Sequence, residues 1–226
     1  MITFHRRFDP AQIKLVIFDL DGTLIDSRLD LIQSVNATLR HLSRPELPGD
    51  LIASYVGDGA PMLVRRALGD PSEALLREAI DLFLAYYRQH KLDHTTVYDG
   101  VHAALDAIAA LTPKRTLAVL SNKPVAPSRA ICEELGLKPF FAQVYGGNSF
   151  PTKKPDPQGA LALLEETGSR PEEALIVGDS AIDILTGRNA NLWTCGVTYG
   201  FAPHALATAP PDVLVDTPRE LVGLFG

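Results

Sequence analysis

Leu15-Val16-Ile17-Phe18-Asp19-Leu20-Asp21-Gly22-Thr23 decides the reading of this chain. Four apolar residues run without interruption into two carboxylates one residue apart, followed by a glycine and a hydroxyl. An apolar run without alternation is how a strand buried on both faces of a parallel sheet reads. An unpaired carboxylate at the tip of such a strand is costly to desolvate. The ending therefore points to a site that holds a divalent cation and attacks phosphorus. A solvated Asp-Gly turn is the plain alternative for Asp21-Gly22 taken alone, and the motifs further along weigh against it.

Working outward, short apolar runs recur through the second half: Leu117–Leu120, Ala142–Tyr145, Leu175–Val177, Cys195–Val197 and Val213–Val215. Segments with helical spacing lie between them, at Val101–Leu111, Ser128–Leu135, Pro157–Thr167 and Ala181–Asn191. Strands alternating with helices of these lengths predict an α/β chain with a Rossmann-like, mostly parallel sheet.

The stretch from Asp26 to His94 breaks that rhythm. Ser27-Arg28-Leu29-Asp30 fits a capping box, and Leu31, Ile32, Val35, Leu39 and Leu42 follow at helical spacing. A second helix is predicted over Pro61–Leu68, and a third over Ser72–Gln89 with Leu76, Ile80, Phe83 and Tyr87 on one stripe. No β-run interrupts them. The expected organisation is a core domain of residues 1–25 and 96–226, with a helical cap domain of residues 26–95 inserted after the first strand and poised as a lid. Helices that merely pack on the sheet are the simpler alternative.

With 226 residues, 46% of them hydrophobic, the chain can bury a sizeable core. The net charge of -6, with scattered lysines and arginines, lacks the clustered basic face of a nucleic-acid binder. That balance also disfavours a phosphate ester at long range, so a metal or local positive charge must offset it. Cys132 and Cys195 stand in unrelated contexts and read as reduced thiols of a cytoplasmic protein. No signal peptide or bilayer-length apolar run is evident, so no membrane partner is expected. Monomer and homodimer both remain open.

Three more motifs fall at or near predicted strand ends: Ser121-Asn122-Lys123, Pro151–Pro157 with its two lysines, and Gly178-Asp179-Ser180-Ala181-Ile182-Asp183. In an open parallel sheet the carboxyl ends of neighbouring strands converge on one crevice, which brings such residues together. Each has a plain reading on its own. Ser121-Asn122 fits a turn or helix cap, the lysines fit a solvated loop, and Asp183 fits a first helical turn favoured by the dipole. His90 and His94 are four apart but lack the glutamate of a zinc-protease motif and read as solvated.

As a set, Asp19-Leu20-Asp21-Gly22-Thr23, Ser121, Lys154-Pro155 and Gly178-Asp179 with Asp183 resemble the haloacid-dehalogenase-like hydrolase superfamily, in order and spacing, over nearly the whole chain. The resemblance implies a helical cap directly after the first motif. Asp19 is then the expected nucleophile, forming an aspartyl-phosphate that water hydrolyses. Asp21 is the expected general acid to the leaving group and base to the water. Mg²⁺ would bridge phosphate and carboxylate, held by Asp19, the Asp21 carbonyl, Asp179 and, directly or through water, Asp183. Ser121, Asn122 and Lys154, with backbone amides at Gly22 and Thr23, would hold the phosphoryl oxygens. Lys153 competes with Lys154 for that role, and the family's Lys-Pro pattern favours Lys154.

Dehalogenases lack the second aspartate, so Asp21 argues for phosphoryl transfer. Val56-Gly57-Asp58-Gly59-Ala60-Pro61, the helix carrying Arg65 and Arg66, and Gly196–Gly200 look like phosphoglycolate phosphatases. Gly57 and Gly59 would let backbone approach a small substrate, and Arg65 or Arg66 would grip its carboxylate. A solvated helix face is the alternative for either arginine. The expected partner is thus a small-molecule phosphate ester, 2-phosphoglycolate first. Other phosphatases, a phosphosugar mutase with the same core, and a non-catalytic phospho-ligand binder are the competing readings.

Overall fold

The computed structural model describes residues 1–201 and 203–225. Its strands are β1 (Thr3–Phe4), β2 (Leu15–Phe18), β3 (Ile25–Asp26), β4 (Thr96–Val97), β5 (Thr116–Leu120), β6 (Gln143–Tyr145), β7 (Ala174–Gly178), β8 (Trp193–Val197) and β9 (Val213–Val215). Its α-helices are α1 (Arg28–His41), α2 (Gly49–Ala53), α3 (Ala60–Leu68), α4 (Glu73–His90), α5 (Val101–Ala110), α6 (Val125–Glu134), α7 (Gln158–Thr167), α8 (Ala181–Asn189) and α9 (Pro218–Gly223).

Seven strands form one sheet in the order β1-β9-β8-β7-β2-β5-β6, parallel except where β1 pairs antiparallel with β9. The run that opened the reading lies at its centre. Val16 and Phe18 face the cluster built with Val101 and Leu105 of α5, Ile131 of α6 and Leu221 of α9. Leu15 and Ile17 face the opposite cluster, with Ala160, Leu163 and Leu164 of α7. Burial on both faces explains the unbroken apolar sequence. It also corrects one expectation: Leu15–Phe18 is the second strand, because the two-residue β1 is too short to leave a periodic signal.

Register places the functional motifs. Phe18 pairs with Val119 of β5 and Val177 of β7, so all three strands end at one level. The Asp19 N–H continues the ladder to the Val177 carbonyl at 2.9 Å. Residues just beyond these strands are therefore neighbours at the carboxyl edge.

Helices α1 to α4 enter between β3 and β4, which pair Ile25 with Val97 and Asp26 with Thr96. They build a separate apolar cluster around Leu31, Val35, Leu39, Leu63, Leu76 and Phe83. Ser72 caps α4 by accepting from Leu75 N–H at 3.3 Å. The expected capping box of α1 is absent. Ser27 donates its hydroxyl to Asp21 instead, and Asp30 turns to the returning chain, accepting from His94 N–H, Thr95 N–H and the Thr95 hydroxyl. Stronger partners across the fold outcompete the local cap.

Candidate active site

Asp19 leaves the tip of β2, Asp179 the tip of β7, and Asp183 sits in the first turn of α8. All three are buried, and each offers a carboxylate oxygen within 4.8 Å of the others'. The tight turn after β2 brings them close. Gly22 has φ +84°, and a Cβ there would meet Asp179 Oδ2 at 2.2 Å. Only glycine fits both the left-handed backbone and the approach.

Lys154 completes the cluster. Its Nζ lies 2.8 Å from Asp19 Oδ1 and 2.6 Å from Asp183 Oδ1, with the side chain 2% exposed. Lys153 instead donates to the Asp58 carbonyl. The geometry thus separates the two candidate lysines. Asp183 keeps its plain role as well, accepting from Ser180 Oγ at 2.6 Å as part of a true capping box on α8. Asp179 accepts from Phe201 N–H at 2.7 Å.

One ammonium does not neutralise three carboxylates. Burial, opposed by Lys154 and reinforced by Asp183, pushes Asp19 up to about 6. Burial, then Asp183 and Asp19, lifts Asp179 well above the usual carboxylate range. Burial alone would lower Lys154, but Asp183 and Asp19 outweigh it and hold the ammonium above its ordinary value. An all-oxygen set of close, buried and electrostatically stressed carboxylates suits a hard divalent cation such as Mg²⁺ better than a softer metal.

A cavity of about 60 Å³ opens on this cluster, lined on the sheet side by Asp19, Asp21, Ser121, Asn122, Lys123 and Asp179. Leu31, Leu63, Phe83, Leu84 and Phe201 cover the other side. Gly57 and Gly59 also line it, with φ +125° and +81°. A Cβ on Gly59 would approach the Asn122 carbonyl to 2.9 Å. Asn122 Nδ2 ties this loop down by donating to Gly57 O at 2.9 Å and Lys154 O at 3.0 Å.

Other expected site residues stand apart from the cavity wall. The Gly22 N–H bonds Ile25 O at 2.9 Å and the Thr23 N–H bonds Leu20 O at 3.3 Å, so both amides serve the turn. Arg65 bonds Glu73 at 2.6 Å, and Arg66 bonds Asp58 at 2.5 Å and Tyr55 O at 3.0 Å. His90 pairs with Asp93 at 2.7 Å, in keeping with a solvated role.

Sequence reasoning missed Lys123. Its Nζ lies 2.9 and 2.8 Å from the two carboxylate oxygens of Asp21, with the side chain 5% exposed. Its place directly after Ser121-Asn122 at a strand end was the available signal. Tyr87 was missed as a cavity residue because it falls on the apolar stripe of α4; its hydroxyl was the hint.

The sheet order, the carboxyl-edge site and the lysine-bound aspartates define a hydrolase built on an α/β scaffold. The model of the haloacid dehalogenase-like hydrolase family matches residues 16–197, and the chain belongs to that family. It is 39% identical over 218 residues to a phosphoglycolate phosphatase of Chromobacterium violaceum, covering 94% of this chain and 96% of that one. It is 41% identical over 196 residues to a phosphoglycolate phosphatase of Psychrobacter arcticus, covering 83% and 84% of the two chains. Among solved structures, a predicted phosphoglycolate phosphatase from Haemophilus somnus superposes with a TM-score of 0.89 at 30% identity, covering 95% of this chain and 99% of that one.

Proposed function

We propose that this protein is a Mg²⁺-dependent phosphomonoester hydrolase that converts a small phosphorylated acid, 2-phosphoglycolate, to glycolate and inorganic phosphate. The observation that carries the reading is the meeting of Asp19, Asp179 and Asp183 around Lys154, with Asp19 and Asp179 also lining the cavity. Relatives named phosphoglycolate phosphatase, aligned over nearly the full chain, support the substrate.

Asp19, the Asp21 carbonyl and Asp179 would hold the cation, with Asp183 beside them. When bound, the cation neutralises the repulsion between the phosphate dianion and the attacking carboxylate. An Asp19 oxygen then attacks phosphorus while the ester P–O bond breaks, and Asp21 delivers its proton to the leaving glycolate oxygen. Asp21 next takes a proton from water, whose oxygen attacks the aspartyl-phosphate. Asp19 is regenerated and phosphate leaves. Ser121 and Lys154 orient the phosphoryl oxygens.

Helices α1 to α4 act as a cap over the site in this reading, excluding water through Leu63, Phe83 and Leu84. No described helix is long and apolar enough to cross a membrane. Cys132 and Cys195 are buried free thiols, which fits a cytoplasmic enzyme. The test is phosphate release with Mg²⁺ or EDTA across small phosphorylated acids, sugar phosphates and nucleotides. The expected result is metal-dependent turnover with 2-phosphoglycolate ahead of the panel. A rate no better than on p-nitrophenyl phosphate overturns the substrate assignment.

A further inference from the structure

Two polar groups in the cavity are not assigned to the phosphoryl group in the chemistry just set out. Tyr87 of α4 is 4% exposed, and its hydroxyl has no hydrogen-bond partner within 3.5 Å, with only a weaker interaction from the Lys123 ammonium. A buried hydroxyl left unpaired is costly, so its presence calls for a partner that arrives from outside. Burial, against the opposing pull of the Lys123 ammonium, pushes this phenol up to about 12. It therefore keeps its proton and can donate.

Lys123 stands beside it, with Nζ 4.8 Å from the centroid of the Tyr87 ring. An ammonium carries three N–H donors; the bonds to Asp21 engage two of them, and the third is shared only weakly with the Tyr87 hydroxyl. The ring is held in place by stacking on Phe83, centroids 5.7 Å apart and planes at 4°. Around this pair the helical side of the cavity is apolar, with Leu31, Leu63, Phe83 and Leu84. An anionic substrate tail entering such a wall needs a charged partner. The arginines of α3 do not supply it, since neither lines the cavity and their partners are Glu73 and Asp58.

We propose that Lys123 and Tyr87 form the subsite that receives the carboxylate of the small phosphorylated acid, the ammonium supplying charge and the phenol a second donor. This rests on the phosphatase reading of the Asp19 site and adds where its substrate's second anionic group binds. Because Lys123 also holds Asp21, one residue links recognition of the tail to the group that handles the proton.

The experiment compares kcat/KM for 2-phosphoglycolate with that for ethyl phosphate, which lacks the carboxylate, in the wild type and in Tyr87→Phe. The phenyl ring keeps the stack on Phe83, and thermal unfolding checks that the variant folds. The ratio of the two kcat/KM values is expected to fall about tenfold, mainly through KM for 2-phosphoglycolate. Calorimetry of 2-phosphoglycolate binding to D19N and to D19N/Y87F should show the same loss without turnover. A preference that survives intact in Tyr87→Phe overturns the subsite alone, as does a parallel loss on both substrates. A wild type without any preference for the carboxylate overturns the subsite together with the substrate assignment.

Discussion

Thr95 donates both its backbone N–H and its hydroxyl to Asp30 Oδ2, at 2.8 and 2.6 Å, across 65 residues of sequence. His94 N–H adds bonds of 3.0 and 3.1 Å to the same carboxylate. Asp30 is 1% exposed, so the chain leaving the sheet and the chain returning to it are pinned together in a dry environment. Asp30→Ala strands three donors, two of them buried on Thr95. It is expected to lower the unfolding free energy by about 2–4 kcal/mol, read by urea denaturation. Asp30→Asn keeps one acceptor and should lose roughly half as much.

Replacing Asp19 by Asn removes the carboxylate proposed to attack phosphorus while keeping its shape. Turnover should fall by at least about a thousandfold, with the circular dichroism spectrum unchanged. Phosphate release by the variant within tenfold of wild type would contradict the nucleophile assignment.

The cluster of buried carboxylates makes stability depend on pH in a definite direction. Asp19 is pushed up to about 6 by burial, so the folded state holds this proton more tightly than the unfolded state, whose value is near 3.8. The folded state then binds more protons between those values, and stability falls as pH rises through them. Asp179 acts in the same direction. A bound divalent cation offsets the loss by favouring the ionised carboxylates. The Mg²⁺-induced rise in Tm should therefore be small near pH 4.5 and large near pH 7.5, as read by thermal scans with Mg²⁺ or EDTA.

Gly22→Ala tests the turn itself. The new methyl would lie 2.2 Å from Asp179 Oδ2 on a backbone with φ +84°. The left-handed conformation alone costs about 1–2 kcal/mol for an L-residue, and Asp179 must also move. A Mg²⁺ titration followed by thermal shift should show affinity reduced by at least about tenfold. Unchanged affinity would mean that Asp179 is not held by this contact.

Much of this arrangement was legible in the residues. The two-face burial of Leu15–Phe18 and its parallel partners left continuous apolar runs, and the carboxyl edge then followed from topology. Asp19 and Asp179 stood out because carboxylates rarely end buried strands, and Asp183 came with the family motif. Other features left no signal. The two-residue strands β1, β3 and β4 and the five-residue α2 are too short to repeat the period that would mark them. Ser27 and Asp30 have the pattern of a cap, yet contacts from 6 and 64 or more residues away claim them. Arg65 and Arg66 carried the right charge, and only the positions of Glu73 and Asp58 reveal that they are occupied. Tyr87 reads as core by spacing, and its hydroxyl matters only once α4 is seated over Lys123.

The ladder between β3 and β4 sets Ile25 against Val97 and Asp26 against Thr96. Everything between those rungs begins and ends at one doorway, so an insert of another length or shape can be grafted there without shifting any rung of the seven-stranded sheet. A chimera exchanging that segment would keep Lys123 from one parent and take whatever stands in place of Tyr87 from the other.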